Sequence, residues 1–352
     1  MMAPALRREF GLSLAQTGLL ISMQLIGSLA TLIPWGMATD RLGERLVLFA
    51  GLLGCGATLF AAGYAHTFEL LAVLVGVSGA VGASVQSASG RAVMHWFPPR
   101  QRGVALAVRQ TAIPISGFLA SLVLPHVADV RWGFATMGIA CATGATVGAL
   151  VLREGPQPEP RADAGPAPLR DGRLWKLSFG SSLVIAPQLC VVGFTVLMLH
   201  ERRGLATSSA AAVLAVMQLL AIGGRIGAGR WSDVLQSRLV PLRRIALAAA
   251  VLVAISGLLI GAPLALLLPF LVVGGVLSMS WNSLSFAAAV EIAGHNRSGL
   301  AIGLQQTILN LPGAAYPALF GALVAATSWR AAFLAVALFP LAGWSVLGTM
   351  RE

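Results

Sequence analysis

The sequence predicts an all-α membrane protein of two similar helical bundles, with about eleven transmembrane helices divided five and six. Three observations predict it. First, of 352 residues 57% are hydrophobic and only 11% charged, and the mean hydropathy is +0.82. A soluble domain carries about 25% charged residues, and this composition would leave too little polar surface to face water. Second, apolar stretches recur along the whole chain, each near the length of about 20 residues that a bilayer requires. Third, the two halves of the chain repeat one another.

Taken in order, the spans fall at roughly 14–38, 46–65, 69–94, 103–125, 132–152, 175–199, 208–229, 243–261, 263–289, 298–325 and 330–350. Several are joined by very short turns, such as Gly261-Ala262-Pro263. Irregular backbone cannot face lipid, so each run is read as a helix or as shielded by protein. The 40 glycines fit this reading, because small residues let helices approach closely in a membrane.

The net charge of +11 does not describe a nucleic-acid-binding face, because the basic residues sit in short loops between the apolar runs. Alternate loops divide them unequally. Fifteen lie in one set, among them Arg41, Arg45, Arg100, Arg102, Arg230 and Arg238. Six lie in the other, among them Arg7, Arg131 and Arg202, and Arg91, Arg109 and Arg225 fall inside spans. Basic residues mark cytoplasmic loops. The C-terminus is therefore expected in the cytoplasm and the N-terminus outside, in a multi-pass protein of the inner (plasma) membrane. The longest polar stretch, Glu154 to Arg173, is rich in Pro, Ala, Asp and Arg and cannot bury enough apolar surface to order itself. The expected organisation is a five-span bundle over 1–153, a cytoplasmic linker over 154–174 and a six-span bundle over 175–352.

The repeat is visible residue by residue. Gly36 and Asp40 recur as Gly229 and Asp233, and Arg45 recurs as Arg238, each 193 residues on. Gly103, Ala105, Gln110, Thr111 and Gly117 recur as Gly299, Ala301, Gln306, Thr307 and Gly313, 196 residues on. Parallel halves of this kind are one of the two repeat types of transporters. The first span of the second half has no counterpart after Met1. The chain thus reads as though one N-terminal helix were missing, through a misassigned start or a truncation. No cleavable signal peptide is read at Met1, since the first apolar run lacks a small-residue cleavage site.

Residues 36–48 read Gly-Met-Ala-Thr-Asp-Arg-Leu-Gly-Glu-Arg-Leu-Val-Leu. This resembles the signature loop between the second and third helices of the major facilitator superfamily, with matches at Gly36, Asp40, Arg41, Gly43 and Leu48. Arg45 keeps a basic charge, Ala38 replaces the usual Leu, and Glu44 replaces a basic residue. The same loop recurs in degenerate form from Gly229 to Arg238. The resemblance covers the whole chain except the family's first helix. It implies two six-helix bundles around a central cavity. It also implies a gate in which Asp40 and Arg41 latch the cytoplasmic side when the cavity faces outward. The antiporter signature of the family is retained only as Pro114-x-x-Gly117, and antiport is not supported.

The same loop can be read physically. An Asp at a helix end is costly unless paired. Arg41 and Arg45 are near enough in sequence to pair with Asp40, and the N-terminus of a helix starting near Ser298 offers a positive dipole end. A solvated loop with topology-setting arginines is the alternative. Gly36, Asp40, Arg41, Gly43, Arg45, Asp233 and Arg238 are the expected gate residues.

Polar residues within spans are expensive and face protein or water. The candidates for a substrate cavity are Arg109, Gln110, Thr111, Gln188, Asn282, Gln305, Gln306 and Asn310. Arg109 is about 12 Å in from the cytoplasmic end at about 1.5 Å per residue. One reading makes it the counter-ion of a small anionic substrate; the other packs it against helix-end carbonyls or the cytoplasmic rim. No Asp or Glu sits in mid-span, so no proton-coupling site is supported. Cys55, Cys141 and Cys190 fall inside apolar runs without metal-ligand spacing, so no metal or other cofactor is expected. No zinc-protease, nucleophile-elbow or Walker motif occurs in a fitting context, so no enzyme is expected. The function expected is transport of a small solute by alternating access, with that solute and the lipid bilayer as partners, and no protein or nucleic-acid partner indicated. A non-transporting sensor or partner-binding protein of the same fold, or an inactive fragment, are the alternatives.

Overall fold

The computed structural model describes residues 6, 9–12, 14–113, 115–116, 119, 129–152, 168–294, 297–313 and 315–350. The helices among them are α1 (Leu14–Leu42), α2 (Glu44–Ala62), α3 (Phe68–Gly82), α4 (Ser84–Trp96), α5 (Arg102–Gln110), α6 (Val130–Val151), α7 (Gly172–Val184), α8 (Gly193–Arg203), α9 (Thr207–Leu235), α10 (Leu239–Leu258), α11 (Leu264–Met279), α12 (Asn282–Ala293), α13 (Ser298–Gly313), α14 (Tyr316–Ala326) and α15 (Trp329–Gly348). No strand occurs among the described residues. Nine helical stretches among them are long and apolar enough to cross a membrane by length and composition, and α1 adds a helix of 29 residues.

Two expectations meet the edge of the described residues. The span at 103–125 is helical over α5, but Pro114, Gly117 and 120–128, and with them the antiporter-type Pro-x-x-Gly, lie outside. Most of the linker, 153–167, lies outside too. Its described end is shorter than the expected 174: α7 begins at Gly172, where the Asp171 carboxylate accepts the Arg173 N–H at 2.9 Å and caps the helix.

The chain forms two compact units. One comprises Met1–Trp96, Ala112–Pro168 and Ala293–Thr307; the other comprises Phe97–Thr111, Leu169–Ile292 and Ile308–Glu352. Each unit therefore takes a short segment from the opposite half of the sequence.

In the first unit α1 packs on α3 with backbones in direct approach. A Cβ on Gly27 would lie 1.9 Å from the Gly76 carbonyl oxygen, and one on Gly79 would lie 2.1 Å from that of Gln24. Side-chain donors fasten the same seam. Ser28 Oγ donates to the Gly79 carbonyl at 2.9 Å, and Thr31 Oγ1 and Trp35 Nε1 both donate to that of Ala80, at 2.6 and 2.7 Å. Lipid supplies no hydrophobic drive between helices, so small residues and interhelical hydrogen bonds take over that role.

In the second unit α10 packs on α15, with Gly257 against Phe333, and α7 packs on α15, with Gly343 against the Gly180 carbonyl. The long span Gly172–Arg203 is not one regular helix. Pro187 cannot donate to the ladder, and a widened π-type turn occupies Gln188–Val192. Ser280 and Trp281 interrupt the span Leu264–Ala293, and the buried Trp281 indole donates to the Ser278 carbonyl at 2.9 Å.

Candidate functional site

The duplicated aspartates are the best-defined polar constructions in each unit. Asp40 stands in the last turn of α1. Its Oδ1 accepts the Gly299 N–H and its Oδ2 accepts the Leu300 N–H, each at 2.9 Å. Both donors belong to the first turn of α13, where backbone N–H groups have no intrahelical partner and the helix dipole favours an anion. Asp233, near the end of α9, repeats this on α5, with Oδ1 on the Gly103 N–H at 3.0 Å and Oδ2 on the Val104 N–H at 2.9 Å. Such charge-assisted bonds are roughly twice as strong as neutral ones.

The repeated glycines make these bonds reachable. A Cβ on Gly36 would lie 2.5 Å from the Gly299 carbonyl oxygen, and one on Gly299 would lie 2.7 Å from that of Gly36. In the other unit a Cβ on Gly103 would lie 2.6 Å from the Gly229 oxygen, and the reverse contact would be 2.5 Å. Four glycines thus serve two helix crossings of one design. Gly43 turns the chain after α1 at φ 85, and the residue 193 positions later, Gln236, also holds a positive φ, of 49. The backbone turn survives where the sequence repeat has lost its glycine.

The counter-ions differ between the clasps. At Asp233 the partner is its sequence neighbour Arg238. Nη1 lies 2.5 Å from Asp233 Oδ1 and 2.8 Å from Ser232 Oγ, Nε lies 2.9 Å from Glu291 Oε1, and Nη2 donates to the Pro99 carbonyl at 2.6 Å. At Asp40 neither Arg41 nor Arg45 takes that place, contrary to their spacing in sequence. Arg41 is exposed, and the exposed Arg45 turns away to donate to the Ala149 carbonyl at 2.8 Å. The cation is Arg91 of α4, which lies 4.0 Å from Asp40 and 3.7 Å from Glu44 and whose Nη1 also donates to the Thr39 carbonyl. Glu44, at the first position of α2, meets His95 Nδ1 at 3.2 Å, and both side chains are only 3% exposed. Sequence spacing alone did not point to Arg91, His95 or Glu291. The one signal for Arg91 was an arginine counted inside a span.

The cavity candidates distribute as follows. Gln110 is buried, and its main-chain carbonyl accepts Arg225 Nη1 at 2.9 Å while Arg225 Nε donates to that of Met279 at 2.9 Å. Arg109 Nη1 lies 3.3 Å from Gln110 Oε1 and lines a groove between α5 and α9. Thr111 Oγ1 is turned onto the Val108 carbonyl at 2.6 Å. Gln188 lies in the widened turn, where its Oε1 has no described partner, and the buried Asn282 Oδ1 has none either. Gln305 is buried, and Gln306 and Asn310 are half-buried along α13. No group of three or more His, Cys, Asp or Glu able to hold a metal occurs among the described residues.

These features define a class, the polytopic helical membrane proteins built by duplication, with a carboxylate seated on a helix N-terminus in each half. A profile described as Major Facilitator Superfamily matches residues 1–315. An uncharacterized MFS-type transporter of Mycobacterium tuberculosis is 33% identical over 346 residues, which is 96% of this chain and 78% of that one. A hexuronate transporter of Bacillus subtilis is 25% identical over 364 residues, covering 94% of this chain and 85% of its own. Among solved structures, the fucose:proton symporter of E. coli superposes with TM-score 0.78 at 18% identity, over 100% of this chain and 95% of that one, which shows the fold. The chain belongs to the Major Facilitator Superfamily, and its relatives are solute transporters.

Proposed function

We propose that the protein moves a small organic anion across the inner membrane by alternating access, with Arg225 as the cation that meets it. The observation carrying the anion is the setting of Arg225. It is a buried guanidinium inside a span, its Nε and Nη1 rest on main-chain carbonyls, and no carboxylate pairs with it among the described residues. Those two bonds leave Nη2. An ionisable residue within a membrane is expensive to hold and marks a substrate or ion path. A carboxylate would neutralise this one. Asn282, whose Oδ1 is buried and unpartnered, follows Met279 by three residues and adds a polar contact. Hexuronate, the solute of one relative, is a sugar carrying such a carboxylate. Sequence reasoning offered Arg109 as one reading of this role, with packing against helix-end carbonyls or the cytoplasmic rim as the other. Arg225 is the less solvent-exposed of the two arginines, and its guanidinium is aligned by two carbonyls.

Alternating access is supported by family membership and by the paired clasps. Each holds a helix end by main-chain bonds that can be made or released as a unit. In this reading the halves 1–153 and 175–352, joined by 154–174, are the moving bundles. The clasps then stand at the cytoplasmic side with the C-terminus, as the division of basic residues supports. A solute shifts such an equilibrium only through unequal affinity for the two states. The test is uptake and counterflow in proteoliposomes with glucuronate, smaller carboxylates and neutral sugars. Carboxylate uptake is expected, and Arg225→Gln should lower it roughly 10- to 100-fold, the worth of one hydrogen bond to a charged group, with insertion unchanged. Uptake of neutral sugars alone, or carboxylate uptake indifferent to Arg225→Gln, would discard the anion reading.

A further inference from the structure

Beside the Asp233 clasp the second unit carries a groove of about 650 Å³, bounded by α5, the turn before it and α9. Its charged lining is Arg100, Arg109 and Arg230, with Asp233 the one acid among its lining residues. Both oxygens of that acid are engaged by the Gly103 and Val104 N–H groups and by Arg238. The groove therefore presents three guanidiniums, and the two at its rim, Arg100 and Arg230, have no free carboxylate among its lining residues. They stand at two depths. Arg100 and Arg230 are exposed at the rim, and Arg109 lies about 10 Å further along α5 than Arg102, at about 1.5 Å per residue.

The walls are apolar and open. Val108 is 52% exposed on α5 and Val234 72% exposed on α9, which belongs to the membrane-length apolar stretch Ser208–Leu235, and Phe97 lines the same groove. Valines facing outward from a spanning segment meet lipid chains. A cationic pocket with such walls is complementary to a molecule with an anionic head and apolar tails. We propose that this groove binds the headgroup of an anionic phospholipid, with the phosphate between Arg100 and Arg230, its deeper oxygens toward Arg109, and the acyl chains along Val104, Val108 and Val234. Basic pockets between transmembrane helices bind such headgroups, and the volume lies within the range of small-molecule sites. A soluble anion would leave the exposed valines without purpose.

The duplication sharpens the assignment. The positions matching Arg100, Arg109 and Arg230 in the other half are Asn296, Gln305 and Met37. The clasp is repeated in both halves, whereas the groove's three arginines are matched by no arginine at these positions.

The full chain, purified in detergent, would be titrated with cardiolipin, phosphatidylglycerol and phosphatidylcholine, reading bound lipid by native mass spectrometry and melting temperature by intrinsic fluorescence. Retention of the two anionic lipids, with a rise in melting temperature that phosphatidylcholine does not give, is expected. Arg100→Gln with Arg230→Gln should weaken anionic-lipid retention at least roughly tenfold. Arg131→Gln, at an exposed arginine paired with Tyr64, should leave it unchanged. If the double variant is not monodisperse, Val108→Trp, which fills the groove without altering charge, replaces it and should give the same loss. Equal retention of phosphatidylcholine by the unaltered protein would overturn the proposal, as would retention unaffected by these variants. Displacement of the lipid by millimolar inorganic phosphate or glycerol phosphate would overturn it in favour of a soluble-anion site.

Discussion

The clasps at Asp40 and Asp233 are the same object built twice and then neutralised in different ways. In both, a carboxylate accepts two consecutive N–H groups from the first turn of a helix, across a glycine–glycine crossing. At Asp233 the cation comes from five residues along the same stretch of chain and is shared with Glu291. At Asp40 it comes from another helix 51 residues away and is shared with Glu44, which also holds His95. The backbone geometry is what duplication has preserved, because every residue except proline keeps the main-chain donor. The side-chain partners could change, because any cation that reaches the carboxylate serves.

Three pairs of substitutions test that contrast, and the largest effect is expected at the crossings. Gly299→Val and Gly103→Val each place atoms where even a Cβ lies under 3 Å from an opposing carbonyl. Each should cost about 3 kcal/mol, the upper end of ordinary overpacking, read as thermal unfolding in detergent. Equal losses would confirm that the crossings are equivalent; a loss at one alone would break the comparison.

A smaller and unequal pair of effects is expected from the cations. Arg91 stands between Asp40 and Glu44, both largely buried, so Arg91→Gln removes a cation that the two carboxylates share and leaves His95 beside Glu44. Arg238→Gln leaves Asp233 on its two N–H groups and Glu291 35% exposed to solvent. Breaking a buried pair by removing one member costs about 3–5 kcal/mol; Arg91→Gln should approach 3, and Arg238→Gln about 2, because Glu291 can rehydrate. The same unfolding assay ranks them, and the reverse order would show that proximity outweighs burial here.

The smallest effect separates the two turns. Gly43 holds φ 85, and Gln236 holds φ 49 at the matching position. A left-handed conformation costs a non-glycine residue roughly 1–2 kcal/mol. Gly43→Ala should therefore destabilise by about 1 kcal/mol, and Gln236→Gly should stabilise by somewhat less, since glycine also loses more chain entropy.

What the sequence made legible follows from what a linear pattern can hold. Apolar runs revealed the spans, and a fixed offset revealed the duplicated Gly36, Asp40, Gly229 and Asp233. The helix N-terminus near Ser298 was readable as the partner of Asp40 because a dipole end needs only a helix start. The cations were not readable. Spacing put Arg41 and Arg45 near Asp40, yet a side chain at the end of α1 points to whichever helix packs there, and that helix is α4. Arg225 was visible as an arginine inside a span, but the carbonyls of Gln110 and Met279 that aim it come from segments 115 and 54 residues away.

The glycine crossings also fix how abruptly the clasps can let go. Two backbones in direct touch have no side-chain padding to stretch, and attraction between atoms fades by a quarter to a half over a gap of about 0.5–1 Å. The paired N–H bonds have similarly short reach. Under the alternating access proposed above, each clasp acts as a snap fastener rather than a spring, closed or parted with little between, and the motion proceeds in steps.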